Sequence, residues 1–193
     1  MKAKLLAGLI SALCISGAVQ AQNNDWPGQK VIKLIAVFPP GGSVDQVARI
    51  LAPTLQNQLK QNVIVENIGG ASGVIGTAAM TRTEPDGYTF AVVFDTHGVN
   101  PSLKDKLPYD TIKDIAPVTF IGTSPMVLVA SKSSGITSFK QLVEMSKGGK
   151  QFSYGSIGFG SLGHLAIARL AKQAGFDWNH IPYRGGGPLM QDD

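Results

Sequence analysis

A glycine-rich turn joins the first apolar segment of this chain to its first amphipathic segment, and it restricts the fold more than any other feature. Val31 to Phe38 is a nearly continuous apolar run, typical of a strand covered on both faces. Pro39-Pro40-Gly41-Gly42-Ser43-Val44-Asp45 follows, and a helical pattern begins at once. The first N–H groups of such a helix have no intrahelical acceptor and lie at the positive end of its dipole. The turn is therefore predicted to bind an anion.

A second turn of the same design lies further along the chain. Phe152-Ser153-Tyr154-Gly155-Ser156 leads to Gly158, Gly160 and Ser161, and another helical pattern begins at Leu162. Two donor-rich turns on separate halves of the chain predict a clamp around a small anionic molecule.

Residues 1–21 are predicted to be a secretory signal peptide and not part of the fold. Lys2 and Lys4 form a basic start, Leu5 to Val19 is mostly apolar, and Val19-Gln20-Ala21 fits a cleavage site, so we expect cleavage after Ala21. The alternative is a membrane anchor, but the apolar stretch is shorter than the roughly 20 residues that a spanning helix needs. The only cysteine, Cys14, lies in this segment, so the mature chain is expected to have no thiol.

Net charge argues against nucleic acid as the main partner. The formal net charge of +4 falls to +2 when Lys2 and Lys4 leave with the signal peptide. The remaining Lys and Arg residues do not cluster as they do in proteins that follow a phosphate backbone.

Strand-like and helix-like segments alternate along the chain, which predicts an α/β fold with parallel-rich sheets. The first helix has an apolar stripe, an expected N-cap at Ser43 and an expected bend near Pro53. The stripe consists of Val44, Val47, Ala48, Leu51, Ala52, Leu55 and Leu59. Further strands are predicted at Val63–Asn67 and Tyr88–Phe94, with a small-residue helix between them.

The later part of the chain predicts a second alternating set. Its expected elements are a short helix around Ile112–Ile115, strands at Val118–Ile121 and Met126–Ala130, a helix capped by Ser138, a strand at Gln151–Gly155, a helix at Ser161–Ala174 and a strand at His180–Tyr183. We therefore predict two lobes, residues 22–124 and 125–193. Because barely one helical turn follows Gly185-Gly186-Gly187-Pro188, the second lobe is expected to be incomplete and the chain truncated.

Taken in order, these motifs resemble the Bug family of periplasmic solute-binding proteins, the extracytoplasmic receptors of tripartite tricarboxylate transporters. The resemblance covers the whole sequence after the signal segment. It is carried by Phe38-Pro39-Pro40-Gly41-Gly42 with Asp45 and Ala48-Arg49, Val65-Glu66-Asn67, Pro85-Asp86-Gly87-Tyr88-Thr89, Asn100-Pro101, Leu107-Pro108-Tyr109-Asp110, Tyr154-Gly155-Ser156 with Gly158, Gly160-Ser161 and His164, and Pro182-Tyr183-Arg184-Gly185. Members of that family are longer than this chain.

The resemblance implies a two-lobed periplasmic-binding-protein-like fold that closes over a small organic carboxylate and delivers it to a membrane permease. It places the protein in the periplasm. Carried over by motif, the ligand-binding residues are Phe38, Pro40, Gly41, Gly42, Ser43 and Asp45 on one side and Ser156, Gly158, Gly160, Ser161 and His164 on the other.

Each candidate also has a purely structural interpretation. Gly41 and Gly42 could form only a tight turn. Asp45, in the first helical turn, could complement the helix dipole instead of holding a water molecule for the ligand. His164 could simply pack on the sheet.

Enzyme function finds little support in the sequence. Gly158 to Gly163 fits the dinucleotide-binding glycine pattern, but Asp177, the candidate ribose-binding acid, precedes the next strand instead of ending it. No nucleophile elbow surrounds any serine, and structural roles are favoured for His97 and His180. We expect no catalysis, no cofactor and no metal.

Three functions remain open at this point. The first is a non-catalytic receptor that captures a small organic anion for a permease. The alternatives are an exported enzyme that acts on a carboxylate, and a ligand-sensing signalling protein that uses the same clamp.

Overall fold

The computed structural model describes residues 26–28 and 30–192, so the predicted signal peptide and Cys14 lie outside the described residues. The strands are β1 Ile32–Ala36, β2 Val63–Asn67, β3 Thr89–Val92, β4 Ser153–Ser156 and β5 Asn179–Pro182. The helices are α1 Ser43–Leu59, α2 Val74–Thr81, α3 Asp95–Leu103, α4 Phe139–Lys147, α5 Leu162–Ala174 and α6 Gly186–Leu189, with 3-10 turns at Ala71–Gly73 and Lys132–Ser134. None of the described helices is long and apolar enough to cross a membrane.

Two separate parallel sheets form the framework. The first has the order β2-β1-β3, with Leu34 of β1 opposite Val65 on one side and Phe90 on the other. The second consists of β4 and β5. Because a parallel neighbour requires a crossover, the helices between the strands cover the sheet faces, and the strand ends that carry loops lie at one edge. This confirms the predicted α/β fold with parallel sheets.

The main core surrounds the central strand β1. Ile32, Leu34, Ile35 and Ala36 are all buried there, because β1 has a strand on each side and helices against its faces. The predicted stripe of α1 packs against this core, with Val44, Ala48 and Ala52 fully buried and Val47, Leu51, Leu55 and Leu59 partly buried. The helix continues through Pro53 as one element.

Trp178 anchors the second sheet to α4. It is 6% exposed, and its indole N–H donates a hydrogen bond to the Ser146 hydroxyl at 2.9 Å. Ser146 in turn donates to the Leu142 carbonyl oxygen, one turn earlier in the same helix. The predicted cap of α4 is confirmed, since the Ser138 hydroxyl accepts the Gln141 N–H at 3.1 Å.

Two predicted strands are wrong. Val118–Ile121 and Met126–Ala130 have no regular structure, and Phe120 and Val127 are 79% and 76% exposed. Their apolar residues suit a strand, but a strand also needs a partner, and no described strand pairs with either segment. The predicted lobe boundary between residues 124 and 125 falls in this stretch, between the two sheets, and stays a prediction.

Three local predictions also differ from the structure. The segment around Ile112–Ile115 is a turn and not a helix. The Asp110 side chain accepts the N–H groups of Ile112 and Lys113 and holds the chain in this turn. The helix α3 was not predicted, because Gly98 and Pro101 lower its helical propensity. Gly42, and not Ser43, is the N-cap of α1.

We expect Ile35→Ala to lower the free energy of unfolding by about 3 kcal/mol, because it leaves a cavity in a fully packed core. Ile50→Ala is the matched control, since Ile50 lies on α1 but is 69% exposed. Its effect should stay within about 0.5 kcal/mol. Urea denaturation followed by circular dichroism measures both variants, and equal losses would contradict this account of the core.

Candidate functional site

The loop between β1 and α1 turns sharply at its two glycines. Gly41 has φ +86°, a left-handed conformation that favours glycine, whereas Gly42 is extended with φ −83° and ψ 170°. Phe38 is buried beneath the loop, and Pro40 and Ser43 lie exposed on its surface. No side chain caps the N-terminus of α1. The N–H groups of its first turn are therefore directed out of the helix without a side-chain acceptor.

Asp45 organises this loop from within. The residue is 3% exposed, and one carboxylate oxygen accepts the Gly41 N–H at 3.0 Å. The other accepts Arg49 Nε at 2.9 Å and Asn67 Nδ2 at 2.8 Å. Asn67 also donates to the Phe38 carbonyl oxygen, so the end of β2 is tied to the same loop. Asp45 thus fixes the loop conformation, a role that neither sequence interpretation included.

These contacts determine the protonation of Asp45. Burial by itself disfavours the charged form, but the hydrogen bonds from Arg49, Gly41 and Asn67 outweigh it and lower the pKa of the carboxyl below its ordinary value. Asp45 is therefore ionised at neutral pH. Its charge is satisfied by groups of the protein, which leaves the N–H groups at the start of α1 as donors for another anion.

The loop between β4 and α5 is held by serine side chains. Ser161 is completely buried and caps α5, since its hydroxyl accepts the His164 N–H at 3.3 Å. Ser156, also buried, exchanges hydrogen bonds with Gly158 and lies 2.7 Å from His180 Nε2. The predicted residues of this loop are thus brought together, and the loop is rigidly constructed.

Most N–H donors of this second loop are already used inside the protein. Gly158 donates to the Ser156 hydroxyl, and Gly160 donates to His164 Nδ1 at 3.2 Å. Leu162, the first residue of α5, donates to Asp95 Oδ2 at 2.6 Å. Asp95 was not singled out in the sequence, although an acidic residue directly after a predicted strand is a common ligand or cap position. The two loops therefore differ: an acidic side chain accepts the first N–H of α5, whereas Asp45, in the first turn of α1, is bound to Gly41, Arg49 and Asn67 and leaves the first N–H groups of α1 uncapped.

His164 and His180 belong to a row of stacked rings beside the second loop. Their ring centroids are 4.2 Å apart, and Tyr154 stacks on His180 at 4.9 Å. Burial lowers the pKa of His164, and burial together with the charge of His164 lowers that of His180. Both imidazoles are therefore neutral at pH 7 and supply no positive charge to the loop. They line a cavity of about 390 Å³ between α5 and the second sheet.

The two loops and the start of α6 meet in one region. The Ser72 hydroxyl donates to the Phe159 carbonyl oxygen at 2.7 Å, which joins the first half of the molecule to the β4–α5 loop. The backbone of Gly186 and Gly187 lies against the β1–α1 loop, and a Cβ atom on Gly187 would lie 2.5 Å from the Pro40 carbonyl oxygen. The glycine run before Pro188, predicted only to open a helix, thus permits a backbone approach that a side chain would prevent.

No metal site accompanies this arrangement within residues 26–28 and 30–192, where no three His, Cys, Asp or Glu side chains form a group that could hold an ion. The uncapped backbone N–H groups and the helix dipole of α1 are of the kind that binds an anion such as a carboxylate or a phosphate.

Comparison with known proteins gives consistent matches over most of the chain. Residues 47–193 match the family model described as tripartite tricarboxylate transporter family receptor. Protein BugT of Bordetella pertussis is 35% identical over 192 residues, which are 98% of this chain and 59% of that protein.

Solved structures agree with this match. The Rpa4515 protein of R. palustris, solved with adipate, has a TM-score of 0.82 and 30% identity over 87% of this chain and 56% of its own. The periplasmic binding protein BugD has a TM-score of 0.70 and 28% identity over 85% of this chain and 55% of its own. This chain therefore spans little more than half the length of these relatives.

We expect Asp45→Asn to lower the free energy of unfolding by about 2 kcal/mol at pH 7, because it removes a buried, multiply hydrogen-bonded charge. The folded-state pKa of Asp45 lies below its unfolded value, so its stabilisation is complete above about pH 4 and is lost as pH falls through the folded-state pKa. The difference between wild type and variant should therefore shrink in acid.

Chemical denaturation at a series of pH values measures this difference. Glu84→Gln is the control, since it makes the same change of carboxylate to amide at an exposed position. A difference for Asp45→Asn that stays constant down to pH 2 would show that the charge of Asp45 contributes nothing.

Proposed function

Since this chain belongs to the tripartite tricarboxylate transporter family of receptors, we propose that it is a periplasmic receptor that binds a small organic carboxylate and delivers it to the membrane permease of such a transporter. The family consists of solute-binding receptors, not enzymes. In this proposal the chain is exported by its signal peptide and cleaved after Ala21.

The observation that carries the proposal is the uncapped N-terminus of α1. Gly41 already donates to Asp45, so the ligand carboxylate is assigned to the N–H groups that follow it, at Gly42, Ser43 and Val44. The dipole of a 17-residue helix lies behind these donors. Asp45 then acts through the loop and has no direct contact with the ligand.

The opposite wall of the site consists of the β4–α5 loop and the backbone at Gly186 and Gly187. Ser156, Gly158, Gly160, Ser161 and His164 shape this wall in the proposal, and their internal hydrogen bonds keep it rigid. A rigid wall reduces the entropy that ligand binding costs. The bound adipate of the Rpa4515 structure supports a ligand with at least one carboxylate.

Calorimetric titration of the purified chain with adipate tests the proposal. Adipamide, which has the same carbon skeleton without charge, is the control ligand. We expect adipate to bind and adipamide to show no heat of binding, and mass spectrometry should return the adipate unchanged. Equal binding of both compounds would contradict a carboxylate site, and conversion of adipate would contradict a receptor.

We expect Gly42→Val to weaken adipate binding by roughly 2 kcal/mol or more, about the contribution of one charge-assisted hydrogen bond. Gly42 has an ordinary φ, so the valine backbone fits the turn, but its side chain would fill the space between the loop and Gly186, whose N lies 3.4 Å from the new Cβ. Titration calorimetry measures the change in affinity.

Gly122→Val is the control for this substitution, because a Cβ atom there meets no neighbour within 4 Å. Unchanged adipate affinity in Gly42→Val, with the fold intact, would remove the β1–α1 loop from the binding site.

A further inference from the structure

Asp95 connects the two halves of the molecule through its side chain. It is the first residue of α3, which follows the edge strand β3 of the first sheet. Its Oδ2 accepts the N–H of Leu162, 67 positions away, at 2.6 Å. Hydrogen bonds from a backbone N–H to a carboxylate oxygen are among the charge-assisted bonds, which are shorter and stronger than those between neutral groups.

The carboxylate of Asp95 has no cation beside it in the described part of the chain. It takes part in none of the ion pairs found there, and its Oδ1 is buried without a hydrogen-bond partner among residues 26–28 and 30–192. It lies instead at the positive ends of two helix dipoles, that of its own helix α3 and that of α5 at Leu162.

A second bridge runs beside the first. Asn100, also on α3, donates to the Ser72 carbonyl oxygen at 3.0 Å, and the Ser72 hydroxyl donates to the Phe159 carbonyl oxygen at 2.7 Å. The helix α3 and the 3-10 turn Ala71–Gly73 therefore form one support for the loop that starts α5. A Cβ atom on Gly158 would lie 3.0 Å from the Ser72 hydroxyl, so this support is closely packed.

We propose that Asp95 is a positioning residue for ligand capture: its carboxylate is an internal anion that binds the N-terminus of α5 and holds the β4–α5 loop opposite the anion site of α1. Asp95 acts through α5 and does not contact the ligand. It also occupies the donor at Leu162, so the ligand carboxylate is directed to α1, which no side chain caps. The effect on binding rests on the proposed function, whereas the contact with α5 does not.

Amide hydrogen exchange at Leu162, resolved by NMR on the purified chain, tests the contact. Asp95→Ala removes the acceptor, and Asp95→Asn keeps an oxygen acceptor without the charge. We expect exchange at Leu162 to become about tenfold faster in Asp95→Ala and to be intermediate in Asp95→Asn. Asp105→Asn, the same change at an exposed position after α3, should leave the rate unchanged.

Amides of β1 serve as the internal reference, because a general loss of stability would accelerate their exchange as well. Unchanged exchange at Leu162 in Asp95→Ala, or faster exchange that is equal at Leu162 and in β1, would overturn the proposal. If the alanine variant does not fold, Asp95→Asn decides the question by the same comparison.

Titration of the same variants with adipate tests the consequence for binding. We expect affinity to fall about tenfold in Asp95→Ala and less in Asp95→Asn, with Asp105→Asn unchanged. Unaltered affinity in Asp95→Ala would overturn the positioning role. If the wild-type chain does not bind adipate, the proposed function fails, and exchange at Leu162 still decides whether Asp95 holds α5.

Discussion

The arrangement of the first sheet and its loop depends on one buried carboxylate. Asp45 binds a backbone N–H of the loop, the side chain of its own helix one turn later, and the amide at the end of the neighbouring strand β2. An unpaired charge in that position would be strongly destabilising, so the loop, the helix and the strand must assemble together. The first donors of α1 remain uncapped because its N-cap residue is Gly42, which has no side chain, and because the Asp45 carboxylate is bound to Gly41, Arg49 and Asn67.

The two helix N-termini at the site differ in where their acidic side chain binds. Asp95 accepts the first N–H of α5, whereas Asp45, in the first turn of α1, accepts the Gly41 N–H that precedes the helix and leaves the helix uncapped. An acidic side chain at a helix N-terminus contributes about 0.3–1 kcal/mol at a surface and up to about 2 kcal/mol where it is partly buried. In the proposed function, the N–H groups of Gly42, Ser43 and Val44 offer an anion from solution an interaction of the same kind.

Much of the fold followed from local sequence. The bounds of β2, the apolar stripe of α1 and the cap Ser138 depend on residues within a few positions of each other, and the structure has them. Some failures were local, such as the N-cap of α1, which is Gly42 and not Ser43, and the others were non-local. Val118–Ile121 has strand-forming residues but no described partner, and the contact of Asp95 with Leu162 joins residues 67 apart, which no periodicity reveals. The spacing of Gly41, Gly42 and Asp45 places them in one loop. The spacing does not reveal that the Asp45 carboxylate accepts the N–H of Gly41.

The close approach of Gly187 to Pro40 limits which residue can occupy position 187. Because a single Cβ atom would meet the Pro40 carbonyl oxygen at 2.5 Å, the separation of these two backbone segments is near its minimum and cannot be adjusted by small changes at position 187. Any side chain at position 187 must therefore move α6 away from the β1–α1 loop, and with it the backbone that faces the anion site in the proposed function.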